Sequence, residues 1–170
     1  MTGNFKVLYF TIKYLAKAQR RKEKHQLFFL SRLCDLASLR EKISDMTENE
    51  LSKIIVDVAY QIHIKLGPGL LESVYEEIMY YELQKSGLKV DRQKGIPVFW
   101  DELKMEVGFR ADLIIDNKVI IELKSVEILA PVHPKQLLTY LKITGIKLGL
   151  LINFNEPFIK NGITRIVNNL

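Results

Sequence analysis

Phe109-Arg110-Ala111-Asp112-Leu113-Ile114-Ile115-Asp116-Asn117-Lys118-Val119-Ile120-Ile121-Glu122-Leu123-Lys124 is the stretch from which the fold of this chain follows. Two apolar runs rich in β-branched residues flank Asp116-Asn117. Asn and Asp tolerate the positive φ of a tight turn, so the stretch predicts two adjacent antiparallel strands. Side chains alternate between the faces of a strand. Asp112 therefore lies on one face of the first strand, and Glu122 and Lys124 share one face of the second. Ile114, Ile115, Ile120, Ile121 and Leu123 imply burial, where a charge is costly unless it is paired or holds a metal. Two carboxylates and a lysine on neighbouring strands form a compact site for a hard cation such as Mg²⁺, which takes oxygen ligands. A lysine beside such a site can orient water or stabilise charge developing on a phosphate.

Upstream of this hairpin, Thr47-Glu48-Asn49-Glu50 has capping-box spacing. Leu51, Ile54, Ile55, Val58, Ile62 and Leu66 then recur at helical intervals, and Gly67-Pro68-Gly69 stops that helix. A second helix is predicted from about Leu70 to Ser86, with Gly87 as its cap. Val90 to Trp100 reads as a strand in which Pro97 suits an edge or a bulge. Asp101-Glu102 makes a turn, and Met105 to Ile115 is the next strand. Downstream, a helix begins near Pro134, carries Leu137, Leu138 and Leu141, and ends by Gly145. Leu148 to Ile152 is a short buried strand, and Ile163, Ile166 and Val167 mark a last short element. The order α-α-β-β-β-α-β predicts one α/β domain over residues 46–170, with a mixed central sheet flanked by helices.

The chain has 170 residues, a length that favours one domain, and its 48% hydrophobic residues are ample for a core. Cys34 is the only cysteine. That excludes an internal disulfide or a cysteine-rich zinc site and fits a reducing compartment, the cytoplasm. No apolar run approaches a membrane span, so no membrane is expected as a partner. The net charge of +5 is unevenly placed. Residues 1–45 hold ten lysines and arginines against four acids, a net +6, while residues 46–170 hold fifteen against sixteen, a net −1. The folded part therefore gives no bulk electrostatic argument for nucleic acid, and such binding needs a local patch. Residues 1–45 are a basic and apolar N-terminal extension, open to three readings: a helical extension, a basic arm for nucleic acid or an anionic membrane, or a targeting peptide lacking a clean cleavage site. A fourth comes from the genetic code. Reverse-complemented codons for Arg21 to Lys24 can encode Phe28-Phe29-Leu30-Ser31, as expected of an inverted DNA repeat, which would make Met46 the natural start.

Further chemistry lies on the helices. Glu72 is a third carboxylate, with Tyr75 and Glu76 at i+3 and i+4 on the same face. A helix packed on the hairpin can aim Glu72 at Asp112 and Glu122, although a glutamate in a first turn also simply favours the helix dipole. Gln136 and Tyr140 share a face of the following helix and can bond a phosphate, a base or a bound water; the bland alternative is a polar flank. Lys142 reads as a solvated charge. His63 and His133 lack ligand spacing and do not argue for zinc. Phosphate-binding glycine loop and nucleophile elbow are both missing, and Cys34 is not read as a nucleophile.

Together these residues resemble the PD-(D/E)XK nuclease superfamily: Asp112, then Glu122-Leu123-Lys124 across a hairpin. Gln136-x-x-x-Tyr140 looks like the extra motif of its RecB-type branch, and Gly69-Leu70-Leu71-Glu72-Ser73-Val74-Tyr75 matches the signature of the small bacterial GxxExxY family within it. Ala111 stands where the superfamily's name has proline, at a variable position. The resemblance covers residues 46–170 and implies a restriction-endonuclease-like αβββαβ core. It implies Glu72, Asp112 and Glu122 as ligands of Mg²⁺ or Mn²⁺, with the backbone carbonyl of Leu123 assisting, and Lys124 as the catalytic lysine. Gln136 and Tyr140 would contact substrate or position the site, and Tyr75 would bind substrate. The implied activity is hydrolysis of phosphodiester bonds, in DNA ahead of RNA, by a homodimer or beside an accessory protein. The alternative is a catalytically silent module that keeps the fold and binds nucleic acid or a protein partner.

Overall fold

The computed structural model describes residues 45–170. The readings made for residues 1–44, the inverted repeat among them, lie outside the described residues. The first helix, α1 (Glu48–Leu66), begins at the expected capping box: Glu50 N donates to Thr47 Oγ1 at 3.3 Å and Thr47 N to Glu50 Oε2 at 2.8 Å. Each of these bonds satisfies a donor that a helix start otherwise leaves open. Helix α2 (Glu72–Lys85) ends in Ser86 and a left-handed Gly87, whose N–H bonds Gln84 O at 2.9 Å while Leu88 N reaches Leu83 O at 3.3 Å. That pair of bonds is the Schellman closure that a glycine after a helix permits.

Strands β1 (Val90–Trp100), β2 (Leu103–Ile115) and β3 (Val119–Lys124) form an antiparallel meander. Asp116, Asn117 and Lys118 join β2 to β3, one residue more than expected: Ile115 pairs with Val119, Asp116 and Asn117 have φ of 48° and 54°, and Lys118 N donates to Ile115 O at 2.8 Å. Helix α3 (Val132–Thr144) crosses over to β4 (Leu148–Asn153), which lies parallel to β3. A short helix, α4 (Ile159–Gly162), leads into β5 (Ile163–Val167), antiparallel to β4. The result is one five-stranded mixed sheet in the order β1-β2-β3-β4-β5. The αβββαβ core implied by the resemblance is present as α2, β1 to β3, α3 and β4.

Helices cover both faces of the sheet. On one face Leu51, Ile55, Ala59 and Ile62 of α1 and Tyr75, Met79 and Leu83 of α2 meet Leu113, Ile115, Ile121 and Leu123. On the other, Leu137, Tyr140 and Leu141 of α3 meet Ala111, Ile114, Ile120 and Leu151. Burying each such Leu or Ile side chain contributes about 1.5–3 kcal/mol. Because β3 and β4 are sandwiched between the two helical layers, their residues are almost all buried. A charge on β3 is thereby held inside the protein.

Element ends shift slightly from the sequence expectations. Helix α2 starts at Glu72 rather than Leu70, because Leu71 stays extended at the cap. Helix α3 starts at Val132, with Pro131 as cap and Pro134 in its first turn, where a missing N–H costs nothing. Pro97 lies in an edge strand where the β1–β2 register shifts between Ile96 and Val98. Pairing between β2 and β3 spans only Leu113 to Ile115, so the far part of the β1–β2 hairpin is a two-stranded ribbon. Its tip carries Phe99, Trp100 and Leu103, 64%, 71% and 60% exposed.

Candidate active site

The ladder between β2 and β3 stops at Leu113↔Ile121. Beyond it the N–H of Leu123 donates to Asp112 Oδ2 at 2.9 Å. The carboxylate thus takes the place of a backbone acceptor and is drawn against β3. Glu122, on buried β3, is 8% exposed. Its Oε1 accepts from Lys124 Nζ at 3.0 Å, while its Oε2 is buried with no partner among the described residues. Lys124 Nζ also donates to Glu72 Oε1 at 3.3 Å and to the Leu123 carbonyl at 2.7 Å.

Glu72 reaches this cluster because the loop before α2 is pinned. Gly67 and Gly69 turn it with φ of 68° and 102°, which glycine adopts without strain. The Tyr75 hydroxyl donates to Gly67 O at 2.6 Å and accepts from Leu70 N at 3.2 Å. Ser125 Oγ, just past β3, donates to Leu70 O at 2.6 Å. Tyr75 itself is fully buried and stacks on Phe154 with ring centres 4.3 Å apart. Expected at the substrate, it instead lies under the loop with its hydroxyl taken by backbone groups. The expected spacing from Glu72 is there, but the side chain points inward.

Gln136 and Tyr140 share one face of α3, and the Gln136 amide donates to the Tyr140 hydroxyl. Tyr140 stacks on Phe109 of β2 at 3.8 Å. Burial, and then the negative charge of Glu122, push its phenol above the usual range, so the ring lies within electrostatic reach of the carboxylates.

Burial raises the Asp112 carboxyl, against the lowering effect of the Leu123 N–H. Burial, reinforced by the like charge of Asp112, pushes Glu122 up to about 7. Burial alone would lower the Lys124 ammonium, but Glu122, Glu72 and Asp112 outweigh it and hold it above its ordinary value. Desolvation and opposite charge act against each other in this way wherever a buried cation meets a carboxylate cluster.

Among the described residues no three Asp, Glu, His or Cys side chains are gathered closely enough to hold a metal ion. The Lys124 ammonium stands between Glu72 and Glu122 and neutralises them, and Asp112 is turned to the Leu123 N–H. The donor set nevertheless fits a hard divalent cation, since carboxylate oxygens and the Leu123 carbonyl surround a point where a positive charge is already stabilised. The unpartnered Glu122 Oε2 is a buried acceptor still lacking a donor or a cation. A cleft of about 450 Å³ between α1 and α2, rimmed by Asp57, Lys65 and Glu82, shares no residue with this cluster.

Sequence reasoning missed two members of the network. Glu76, one helical turn after Glu72, is buried and bonded to Arg92 and Gln93. Its spacing was visible; its partners were not, because they come from β1. Gln93 donates to both Glu76 and Asp112.

The family model for the PD-(D/E)XK nuclease superfamily matches residues 49–166. The chain belongs to the PD-(D/E)XK nuclease superfamily. Members are generally nucleases and typically use divalent metals. The PD-(D/E)XK match runs from the first turn of α1 into β5 and takes in every residue of the carboxylate–lysine cluster. No match was found among curated proteins or among solved structures. No helix among the described residues is long and apolar enough to cross a membrane.

Proposed function

We propose that residues 46–170 form a metal-dependent nuclease domain of the GxxExxY family, in the RecB-like branch, that hydrolyses phosphodiester bonds in DNA. The observation that carries this reading is the convergence of Glu72 Oε1, Glu122 Oε1 and the Leu123 carbonyl on one cationic point, the Lys124 ammonium, beside a buried carboxylate oxygen without a partner. Glu72, Asp112, Glu122 and the Leu123 carbonyl are the ligands. Mg²⁺ or Mn²⁺ supplies a Lewis acid that polarises the scissile phosphate and makes water a stronger nucleophile. Lys124, released from the carboxylates, holds the attacking water or the charge growing on the phosphate. Gln136 and Tyr140 hydrogen-bond and orient the substrate, while Tyr75 supports the loop that carries Glu72. The near-neutral domain, net −1 over residues 46–170, offers little charge for tight binding, so a homodimer or an accessory protein completes the substrate surface. The setting is the bacterial cytoplasm.

Lys124→Ala tests the assignment. Supercoiled and single-stranded DNA incubated with Mn²⁺ should be cut by the wild type and about 100-fold more slowly by the variant. Equal background cleavage by both proteins under all metals tried sinks the nuclease reading. A catalytically silent module is the second reading, favoured by one observation: Lys124 pairs with both Glu72 and Glu122 and so balances the carboxylates from within the chain. Calorimetry separates the two readings, since a silent module takes up no Mn²⁺ and the enzyme loses its uptake in Asp112→Asn.

A further inference from the structure

Gln93 lies in β1 opposite Asp112, between the pairs Arg92↔Leu113 and Lys94↔Ala111. Its φ is 48°, in the left-handed region that a glutamine adopts only at a cost. In a regular strand consecutive side chains leave opposite faces. Here they do not: Arg92 Nε and Gln93 Nε2 both reach Glu76, at 2.5 and 2.8 Å. The left-handed residue turns the Gln93 amide onto the side of Arg92, where it also meets Asp112 Oδ1 at 3.1 Å.

We propose that Gln93 is a positioning residue, its left-handed backbone aiming a neutral amide that fixes the Asp112 carboxylate for cation binding. The proposal rests on the metal-dependent reading above. Asp112 Oδ2 is held by the Leu123 N–H and Oδ1 by Gln93, so both oxygens of the carboxylate are restrained. Each oxygen still has a lone pair free, since a carboxylate accepts at about four sites. Both N–H groups of the amide are used on carboxylates. Arg92 neutralises Glu76 and also binds Glu77, which keeps Glu76 out of the competition for a cation. A neutral side chain is what residue 93 requires: a lysine or arginine there would bring a fixed positive charge to Asp112 and repel a divalent ion.

Gln93→Gly tests this, because glycine adopts the left-handed region freely, which offsets the lost bond to Glu76, itself still held by Arg92, so the fold should hold. In the metal-free, full-length protein, hydrogen exchange at the Leu123 amide should quicken about tenfold while Ile121 is unchanged, since only the Asp112 acceptor has loosened. With Mn²⁺ alone, calorimetry should show binding weakened about tenfold or more, as for other residues that orient metal ligands. Unchanged exchange at Leu123 overturns the proposal, as does unaltered Mn²⁺ affinity in the variant. A lowered melting temperature with faster exchange across the whole sheet makes Gln93 merely structural and overturns it too. If the wild type takes up no Mn²⁺, the nuclease reading fails, and the Leu123 exchange still decides whether Gln93 holds Asp112.

Discussion

Glu122 shows in one side chain how a site is kept ready at the expense of the fold. Its carboxyl titrates near 7 instead of 4.5, chiefly because it is buried. Below pH 4.5 it is protonated in both the folded and the unfolded chain, and burial costs little. Between 4.5 and about 7 the unfolded chain releases the proton and the folded protein keeps it, so stability falls as pH rises. Above about 7 the penalty is complete, at about 3 kcal/mol. Glu122→Gln should therefore flatten the stability profile of the metal-free protein between pH 4.5 and 7 and raise stability at pH 8. Urea denaturation across that range measures it, and a slope that survives the substitution would assign the titration to another group. The same isolation explains why Glu122 could be singled out early: a glutamate after Val119-Ile120-Ile121 on a strand has no ordinary structural use. Gln93 could not. Nothing in Asp91-Arg92-Gln93-Lys94 announces a left-handed backbone, and the carboxylates that its amide meets lie on a helix and a strand distant in sequence.

The elements follow the same division between local and distant causes. The Thr47 capping box, the Asp116-Asn117 turn and the glycines after α2 and α3 are local rules, and their positions could be read from a few residues at a time. The position of Glu72 relative to β3 could not. It depends on Tyr75, which is buried against Phe154 just past β4, and on Ser125 gripping the loop at Leu70. Shared spacing placed Tyr75 on the face of Glu72, but whether that face meets substrate or core is a tertiary matter. Tyr75→Phe keeps the ring stack and removes both hydroxyl bonds. It should destabilise the protein by about 1–2 kcal/mol, leaving Leu70 N without its acceptor. Because Glu72 is then less firmly placed, Mn²⁺ binding should weaken as well. Paired urea titrations and calorimetry check both, and a Tyr75→Phe protein with wild-type stability would remove the loop clamp from the account.

At the scale of the molecule, the described residues lie in one compact unit with a hydrophobic cluster on each face of the sheet. A chain beginning at Met46 should therefore melt in a single cooperative transition and keep its Mn²⁺ affinity, while losing the +6 charge of residues 1–45. Calorimetric scanning tests it, and a broad, non-cooperative melt would tie the fold to the N-terminal segment. The class of fold was legible because the alternation of helices and apolar strands admits few layered arrangements. A mixed sheet was expected, and the helix between β3 and β4 is the usual connection between parallel neighbours such as these two prove to be. The strands of the β1–β2 ribbon were legible too, Val90 to Trp100 as observed and Met105 to Ile115 against an observed start at Leu103, but its reach beyond β3 is decided by the pairing of distant strands.

That ribbon has a practical consequence for light. Trp100, the single tryptophan of the chain, sits at its tip and is 71% exposed. An indole so placed emits at the long wavelengths of a water-facing ring while the protein is still folded. Emission should thus shift little on global unfolding, which circular dichroism will follow far better. The same ring becomes a local reporter, and a blue shift or quenching on adding oligonucleotide would mean that the strand touches the ribbon. Fluorescence that ignores saturating DNA would place the bound strand elsewhere on the surface.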